Sequence, residues 1–444
     1  LIPYTTLFRS AGCPSVNLDT WMASEEHVRE LYSRYGAKAD VCLTEGVMGL
    51  FDGYDGMKGS SAAIASLLQI PVVLVLNARS MAYSVAPILY GYKHFNPTVR
   101  IAGVIFNQVA GESHFSYLKQ ACTDAGVYCF GYLPRQKDIE IPSRHLGLTL
   151  DEKFRFEEFA DRIAASIEQY IQVDDLLNIC SKETENVQPI SAPVSSCSSR
   201  KLKIAVAHDE AFNFTYQENI NQLKEYGDVE FFSPLRHFSA PLSADLLYLP
   251  GGYPEFFLSP LSANKSMIQS IRDYALSGGR VLAECGGMMY LCNSITGMDG
   301  ISYPMAGVLD QEATMENMKL HLGYRMGEYN GVTWRGHEFH YSSLRNPMES
   351  ACQLYSARNT PVDTALIRYK NVIAGYTHLY WGEQCLSYAQ LLAQAQLAAH
   401  HLITRGAAPG QHIGLWMPRG ADALVMQAAI TLTGAAWLPF DADT

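Results

Sequence analysis

At 444 residues the chain exceeds one ordinary hydrophobic core, so two or three domains are expected. Hydrophobic residues make up 48% and charged residues 17%, the balance of a well-buried globular protein, and no apolar run reaches the roughly 18 residues of a membrane span. A formal net charge of −11 leaves nothing to neutralise phosphates, so neither a nucleic-acid partner nor a membrane is expected. The ten cysteines show no CxxC spacing and no signal peptide is evident ahead of them, which reads as reduced thiols in the cytoplasm.

Residues 1–10, "LIPYTTLFRS", carry neither a helical nor a strand period. They are similar to the in-frame translation of a sequencing-library adapter and are set aside as a scar. From 11 to 173 helical and strand patterns alternate. "VRELYSRYG" has helical spacing, while "ADVCL", "PVVLVLN" and "RIAGVIFN" are apolar runs expected as strands buried on both faces of a parallel sheet. Residues 174–200 are polar and rich in Ser and Pro, as in a linker. A second α/β unit is expected over 201–384, with strands in "KLKIAVAHD", "VEFFSP", "DLLYLPGG" and "GRVLAECGG". Residues 385–444 change character again, with a long amphipathic helix, a strand, and a further helix and strand.

Two stretches carry the chemistry. "LTEGVMGLFDG" places Glu45 and Asp52 among glycines after an expected strand, where α/β folds hold their ligands. "GRVLAECGGMMYL" places Cys285 between a strand and a helix, followed by two glycines. That is the setting of a nucleophile on a tight turn, whose thiolate a helix N-terminus would stabilise. A lone cysteine is more often structural. Here, however, the turn "LPGGYPE" offers Gly251 and Gly252 for an oxyanion, and "VIAGYTHLYWG" offers His378 as a base. His337 and His340 in "RGHEFHYS" would point to opposite faces of a strand and lack the partners of a metal site.

Cys285, the "LPGGYPE" turn and His378 resemble a class I glutamine amidotransferase domain of the cobyrinate type. In the broader class a glutamate two positions after the histidine orients it. This chain has Tyr380 there, as in a Cys–His dyad. The "RGHEFHYS" string resembles a further element of that family, structural or lining a domain interface. "NLDTWM", "EGVMGLFDG", "IAGVIFN" and "IPSRHLGL" resemble, in order, the ATP-dependent half of the cobyrinate a,c-diamide synthase family. The resemblance covers about residues 11–384. It implies a dethiobiotin synthetase-like domain of the P-loop type beside a flavodoxin-like amidotransferase domain. It also implies ATP- and glutamine-dependent amidation of the a- and c-carboxylates of cobyrinate, in cobalamin biosynthesis. Glu45 then matches a magnesium-binding acid at the ATP site, and Asp52 an acid of the corrin-carboxylate region. Arg144 and His145 are candidates for anionic groups of the substrate, with a structural arginine as the alternative. Hydrogenobyrinate and nickel-sirohydrochlorin are the alternative tetrapyrroles. A ParA-like nucleotide switch is the non-enzymatic alternative, set apart by having no counterpart of Cys285. Residues 385–444 resemble the opening of an adenylate-forming domain of nonribosomal peptide synthetases, through "LSYAQL" and "TGAAWLPFDAD".

No G-x-x-x-x-G-K-[ST] phosphate loop occurs in the sequence, and the resemblance places it ahead of "NLDTWM". Triphosphate binding depends on that loop's backbone N–H groups and its lysine. The 444-residue chain is therefore expected not to hydrolyse ATP, although a parent protein with the loop would. A phosphate-release assay with ATP and magnesium checks this, and turnover above a protein-free blank would overturn it.

Overall fold

Short polar residues start the first helices. The Ser24 hydroxyl accepts the His27 N–H, so α1 (Glu25–Gly36) begins there, with Glu25 and Glu26 at the positive end of its dipole. Ser60 caps α2 (Ser61–Leu68) in the same way through the Ala63 N–H. The computed structural model describes residues 15–136, 143–144, 147–148, 156–181, 201–383, 388–416 and 421–440. The chain divides into two compact units, the first made mainly of residues up to Val187 and the second from Gln188 onward. No helix among the described residues is long and apolar enough to cross a membrane.

In the first unit β1 (Val72–Asn77), α3 (Val85–Phe95), β2 (Ile101–Val109), α4 (Glu112–Ala125) and β3 (Cys129–Pro134) alternate. They form a parallel sheet of order β1-β2-β3. Val104 and Phe106 of β2 pack with Leu89 of α3 and Leu118 of α4 at its centre. A two-residue ladder, β4 (Ser143–Arg144) with β5 (Gly147–Leu148), precedes α5 (Phe156–Tyr170) and α6 (Val173–Cys180).

Three expectations need correction. "ADVCL" is not a strand: Val41 is 66% and Leu43 82% exposed, in irregular backbone. Nor is β1 buried on both faces, because Val75 is largely exposed. The reason is shared. A buried parallel strand needs a neighbour on each edge, and among the described residues β1 pairs only with β2. The polar stretch also begins later than residue 174, because Val173–Cys180 is helical. Asp174 and Asp175 suit its first turn, and Arg100 Nη2 donates to the Ile179 carbonyl at 2.7 Å, holding its end.

The second unit runs β6 (Leu202–Ala207), α7 (Gln217–Tyr226), β7 (Gly227–Phe232), β8 (Leu246–Leu249), α8 (Leu258–Ala263), α9 (Lys265–Leu276), β9 (Val281–Glu284) and α10 (Gly286–Leu291). Short strands follow: β10 (Ser294–Thr296), β11 (Ser302–Pro304), β12 (Glu312–Thr314), β13 (His321–Tyr329), β14 (Val332–His340), β15 (Ser343–Arg345), β16 (Leu354–Tyr355) and β17 (Pro361–Val362). The unit's sheets are completed by β18 (Leu366–Tyr369), β19 (Val372–Gly375) and β20 (His378–Tyr380). The main sheet has the order β18-β19-β9-β8-β6-β7, parallel except for β18. Counting its parallel strands in chain order gives 2-1-3-4-5, the flavodoxin-like winding expected from the sequence. A second, antiparallel sheet of order β17-β16-β13-β14-β20 carries the histidine-rich strand. Phe212, Leu249, Met267, Ile271, Met288 and Leu291 lie in the core beneath the main sheet's carboxyl edge. At the end of the chain α11 (Tyr388–Thr404), β21 (His412–Trp416), α12 (Ala421–Leu432) and β22 (Ala436–Phe440) pack around small cores of their own, among them Ala395, Ala429, Leu415 and Ile430.

Gly131 tests the first unit's packing. Its φ is +131°, and an added Cβ would stand 2.1 Å from the Tyr170 carbonyl oxygen at the end of α5. Gly131→Ala is expected to cost about 1–3 kcal/mol or more. Thermal unfolding of wild type and variant side by side checks it.

Candidate active site

The apolar strand β9 delivers Cys285 to the first position ahead of α10, where it is 5% exposed. Its φ of 44° lies where side-chain-bearing residues are strained, and such strain gathers at functional turns. The following glycines explain how the turn closes. A Cβ at Gly287 would come 2.0 Å from the Leu249 carbonyl oxygen, so only glycine lets α10 settle onto the end of β8. The Cys285 N–H donates to the Gly375 carbonyl at 2.7 Å, which ties the turn to the end of β19.

The Gly251–Gly252 turn follows β8. A Cβ at Gly251 would lie 2.1 Å from His378 Cε1, so the imidazole packs flat against this glycine. On the other side, the Gly252 nitrogen lies 3.2 Å from where a Cβ of Gly286 would stand. One turn therefore touches both the histidine ring and the residue that follows the cysteine. Gly251 and Gly252, Cys285 and His378 follow the carboxyl ends of β8, β9 and β19 respectively, the edge where doubly wound sheets bind ligands.

Burial sets the electrostatics. It pushes the Cys285 thiol well above its ordinary value, and Glu255 adds to the shift. The Gly286 N–H opposes it, while Glu338 and Glu284 raise it further. The sequence reading expected a helix N-terminus to favour thiolate; desolvation and three nearby acids outweigh that single N–H in the resting protein. His378, 2% exposed, is held well below its ordinary value by burial, then by His337 and His340. Thiol and imidazole are thus both neutral in the resting protein. Glu255, on the same turn as the two glycines, is pushed up to about 7 by burial of its carboxyl, although part of the residue's surface remains exposed.

Neighbouring elements hold β20, and among their residues Glu284, Glu338 and Asn219 were not singled out from the sequence. Tyr380 pairs with Arg335, and His378 pairs with His337 across β14 and β20; the two histidine rings stack at 5.1 Å. His340 stacks on Tyr376 at 3.6 Å. Glu284 accepts the Leu379 N–H at 3.2 Å and the Tyr248 hydroxyl at 2.9 Å. Glu338 accepts from Thr377 at 3.3 Å and pairs with Arg325 at 2.8 Å. Asn219, from α7, donates to the Leu379 carbonyl at 2.7 Å and accepts the Trp381 N–H at 3.0 Å. The available signals were an acid directly before the nucleophile in "AECGG" and one inside the apolar, histidine-rich strand of "RGHEFHYS".

Glu45 and Asp52 occupy one exposed loop leading into α2. The Leu50 carbonyl accepts the Ala62 N–H at 2.8 Å, and the Asp52 N–H donates to the Gly49 carbonyl at 2.9 Å. Arg144 lies on β4, and His145 falls outside the described residues. The loop brings acids, and its lysine, Lys58, lies between Gly56 and Gly59 and pairs with Asp55 at 3.0 Å, outside any G-x-x-x-x-G-K-[ST] cradle. These residues do not by themselves fit a nucleotide triphosphate with its magnesium.

Residues 203–385 match the model of the CobB/CobQ-like glutamine amidotransferase domain, and residues 356–444 that of AMP-binding enzymes. A cobyrinate a,c-diamide synthase of Caldanaerobacter subterraneus subsp. tengcongensis is 38% identical over 82% of this chain and 83% of its own. A hydrogenobyrinate a,c-diamide synthase of Pseudomonas aeruginosa is 36% identical over 88% of this chain and 87% of its own. Among solved structures, a glutamine amidotransferase of Thermotoga maritima is 12% identical, covering 53% of this chain and 94% of that one at a TM-score of 0.28.

The neutral resting pair has a measurable consequence. A thiol raised above its ordinary value of 9.0 gains thiolate only as pH climbs, and an imidazole kept neutral offers no positive charge to hold thiolate at low pH. Alkylation of Cys285 in the free protein, followed by peptide mass spectrometry, is expected to speed up about tenfold per pH unit from pH ~7 to ~9 without levelling. A plateau below neutrality would mean a preformed ion pair.

Proposed function

We propose that this chain, which belongs to the cobyrinate a,c-diamide synthase family, is a glutamine-dependent amidating ligase of cobalamin biosynthesis. The observation that carries the reading is the single glycine turn that touches both His378 and the neighbour of Cys285. The Cys285 sulfur attacks the carboxamide carbon of glutamine while His378 takes the thiol proton. The negative oxygen that develops faces the N–H groups of the Gly251–Gly252 turn and of Gly286. As the C–N bond breaks, the proton on His378 passes to the leaving nitrogen, and ammonia departs. Water then cleaves the thioester, with His378 again as base, giving glutamate and the free thiol.

The ammonia would go to the a- and c-carboxylates of a cobyrinate-type ring; in a form of the enzyme that carries the phosphate loop, ATP with magnesium would supply the activation, with Glu45 as the metal's acid and Asp52, Arg144 and His145 near the ring's carboxylates. This part rests on family membership and on the order of the sequence motifs. The protein acts in the cytoplasm on small molecules. Hydrogenobyrinate is the second reading, because relatives named for each ring stand at 38% and 36% identity.

Purified protein is expected to convert glutamine to glutamate and ammonia, and Cys285→Ala to lower kcat by about 10³-fold or more. Coupled glutamate detection checks it; hydrolysis that survives the substitution would remove Cys285 from its role. For the ring, a form of the enzyme carrying the phosphate loop is given ATP, magnesium, glutamine and each tetrapyrrole in turn. Mass spectrometry is expected to show two amides on cobyrinate. Reaction with hydrogenobyrinate alone would change the substrate and leave the glutamine chemistry standing.

A further inference from the structure

Tyr380 occupies the position where the wider class of amidotransferases carries the acid that orients its histidine. His378 is nonetheless flanked on both sides by residues bonded to buried carboxylates. Glu284 stands one residue before Cys285, and Leu379 one residue after His378. The 3.2 Å bond from the Leu379 N–H to Glu284 Oε1 therefore spans the dyad with a single residue of chain on each side. Glu284 is 2% exposed, and its other oxygen accepts only the Tyr248 hydroxyl, so among the described residues it has no cationic partner. Burial without a countercharge drives this acid toward its neutral form, which still accepts both hydrogen bonds.

The residue on the other side of His378 is held likewise. Thr377 Oγ1 donates to Glu338 Oε1 at 3.3 Å. The second oxygen of Glu338 receives Thr364 Oγ1 at 3.0 Å and Arg325 at 2.8 Å, which fixes the carboxylate against β13. The outer edge of β20 is bonded to Asn219. His378 thus sits between two residues whose bonds to Glu338 and Glu284 fix the chain on either side of it.

We propose that Glu284 and Glu338 are the positioning residues of the glutaminase reaction, holding His378 in register with Cys285 through the Leu379 backbone and the Thr377 hydroxyl. The proposal rests on the glutaminase reading above. Its chemistry is that of a hydrogen-bond acceptor, so an uncharged acceptor of the same shape serves at Glu284. A misplaced base slows proton transfer and leaves the glutamine pocket as it was.

The test measures kcat and KM for glutamine in the full chain, with Cys285→Ala as the blank. Glu284→Ala and Thr377→Val are expected to lower kcat about tenfold or more with KM within about threefold, while Glu284→Gln keeps kcat within about threefold of wild type. Unchanged kcat in Glu284→Ala and Thr377→Val would overturn the proposal. So would a loss confined to KM, or a Glu284→Gln variant as slow as Glu284→Ala, which would show that charge matters and held geometry does not. Should Glu284→Ala fail to fold, Thr377→Val decides, because it removes one hydroxyl and keeps the side chain's shape. A wild-type chain with no hydrolysis above the Cys285→Ala blank would instead sink the glutaminase reading itself.

Discussion

The approach of α10 to the end of β8, too close for one methyl group at Gly287, is the contact on which the site depends. It forces the chain to turn within Cys285 at a positive φ, and it lays the nucleophile's neighbour against the Gly251–Gly252 turn. That turn can in turn receive the flat imidazole only because Gly251 lacks a side chain. Three glycines on two loops thus bring together groups more than ninety residues apart in sequence, which no pairing of side chains achieves alone. The parallel winding does the rest, because β8, β9 and β19 all end on the same edge.

Burial at that edge has an electrostatic price that the fold distributes unevenly. Cys285, His378, His337 and Glu284 all sit where water is excluded, and each is driven toward its neutral form, His337 to about 3 and Glu284 up to about 8. A neutral thiol is a poor nucleophile but a stable resting state for a reactive sulfur. In the proposed reaction, proton transfer to His378 would then accompany attack, so the relative placement of the two side chains would matter more than in a site with a standing thiolate. The density of hydrogen bonds around β20 is in keeping with that demand.

Much of this was legible in the sequence. Alternating apolar runs and helical spacings indicated the second α/β unit, the family resemblance implied its flavodoxin-like winding, and "AECGG", "LPGGYPE" and "THLYWG" marked its three candidate loops. What stayed hidden depends on contacts across the fold. No spacing rule says that the acid before Cys285 reaches the backbone after His378, since β9 and β20 lie in different sheets. Glu338 was hidden inside a strand whose histidines drew the eye, and its partners Arg325 and Thr364 come from β13 and from the loop before β18. "ADVCL" failed for the opposite reason. Its composition suits a buried strand, but strand formation depends on a neighbour that its own residues do not encode.

Sheet edges separate the parts of the chain by what they can do alone. In the second unit the main sheet has six strands, with the antiparallel β18 and the parallel β7 at its ends, and buried clusters that include Leu249 and Met288 and, separately, Val206 and Tyr248. In the first unit β1 leaves an edge open among the described residues, with Val75 exposed on it and Val41 and Leu43 exposed in the segment before α2. At the chain's end β21 and β22 make a sheet of two strands, which leaves Trp416 and Leu438 exposed to water. Two strands with two helices bury too little to be stable alone. Among the described residues, the proposed glutamine site falls in the unit with the six-stranded sheet. A nucleophile on a strained turn requires this, because strain at Cys285 persists only where the surrounding structure over-determines it.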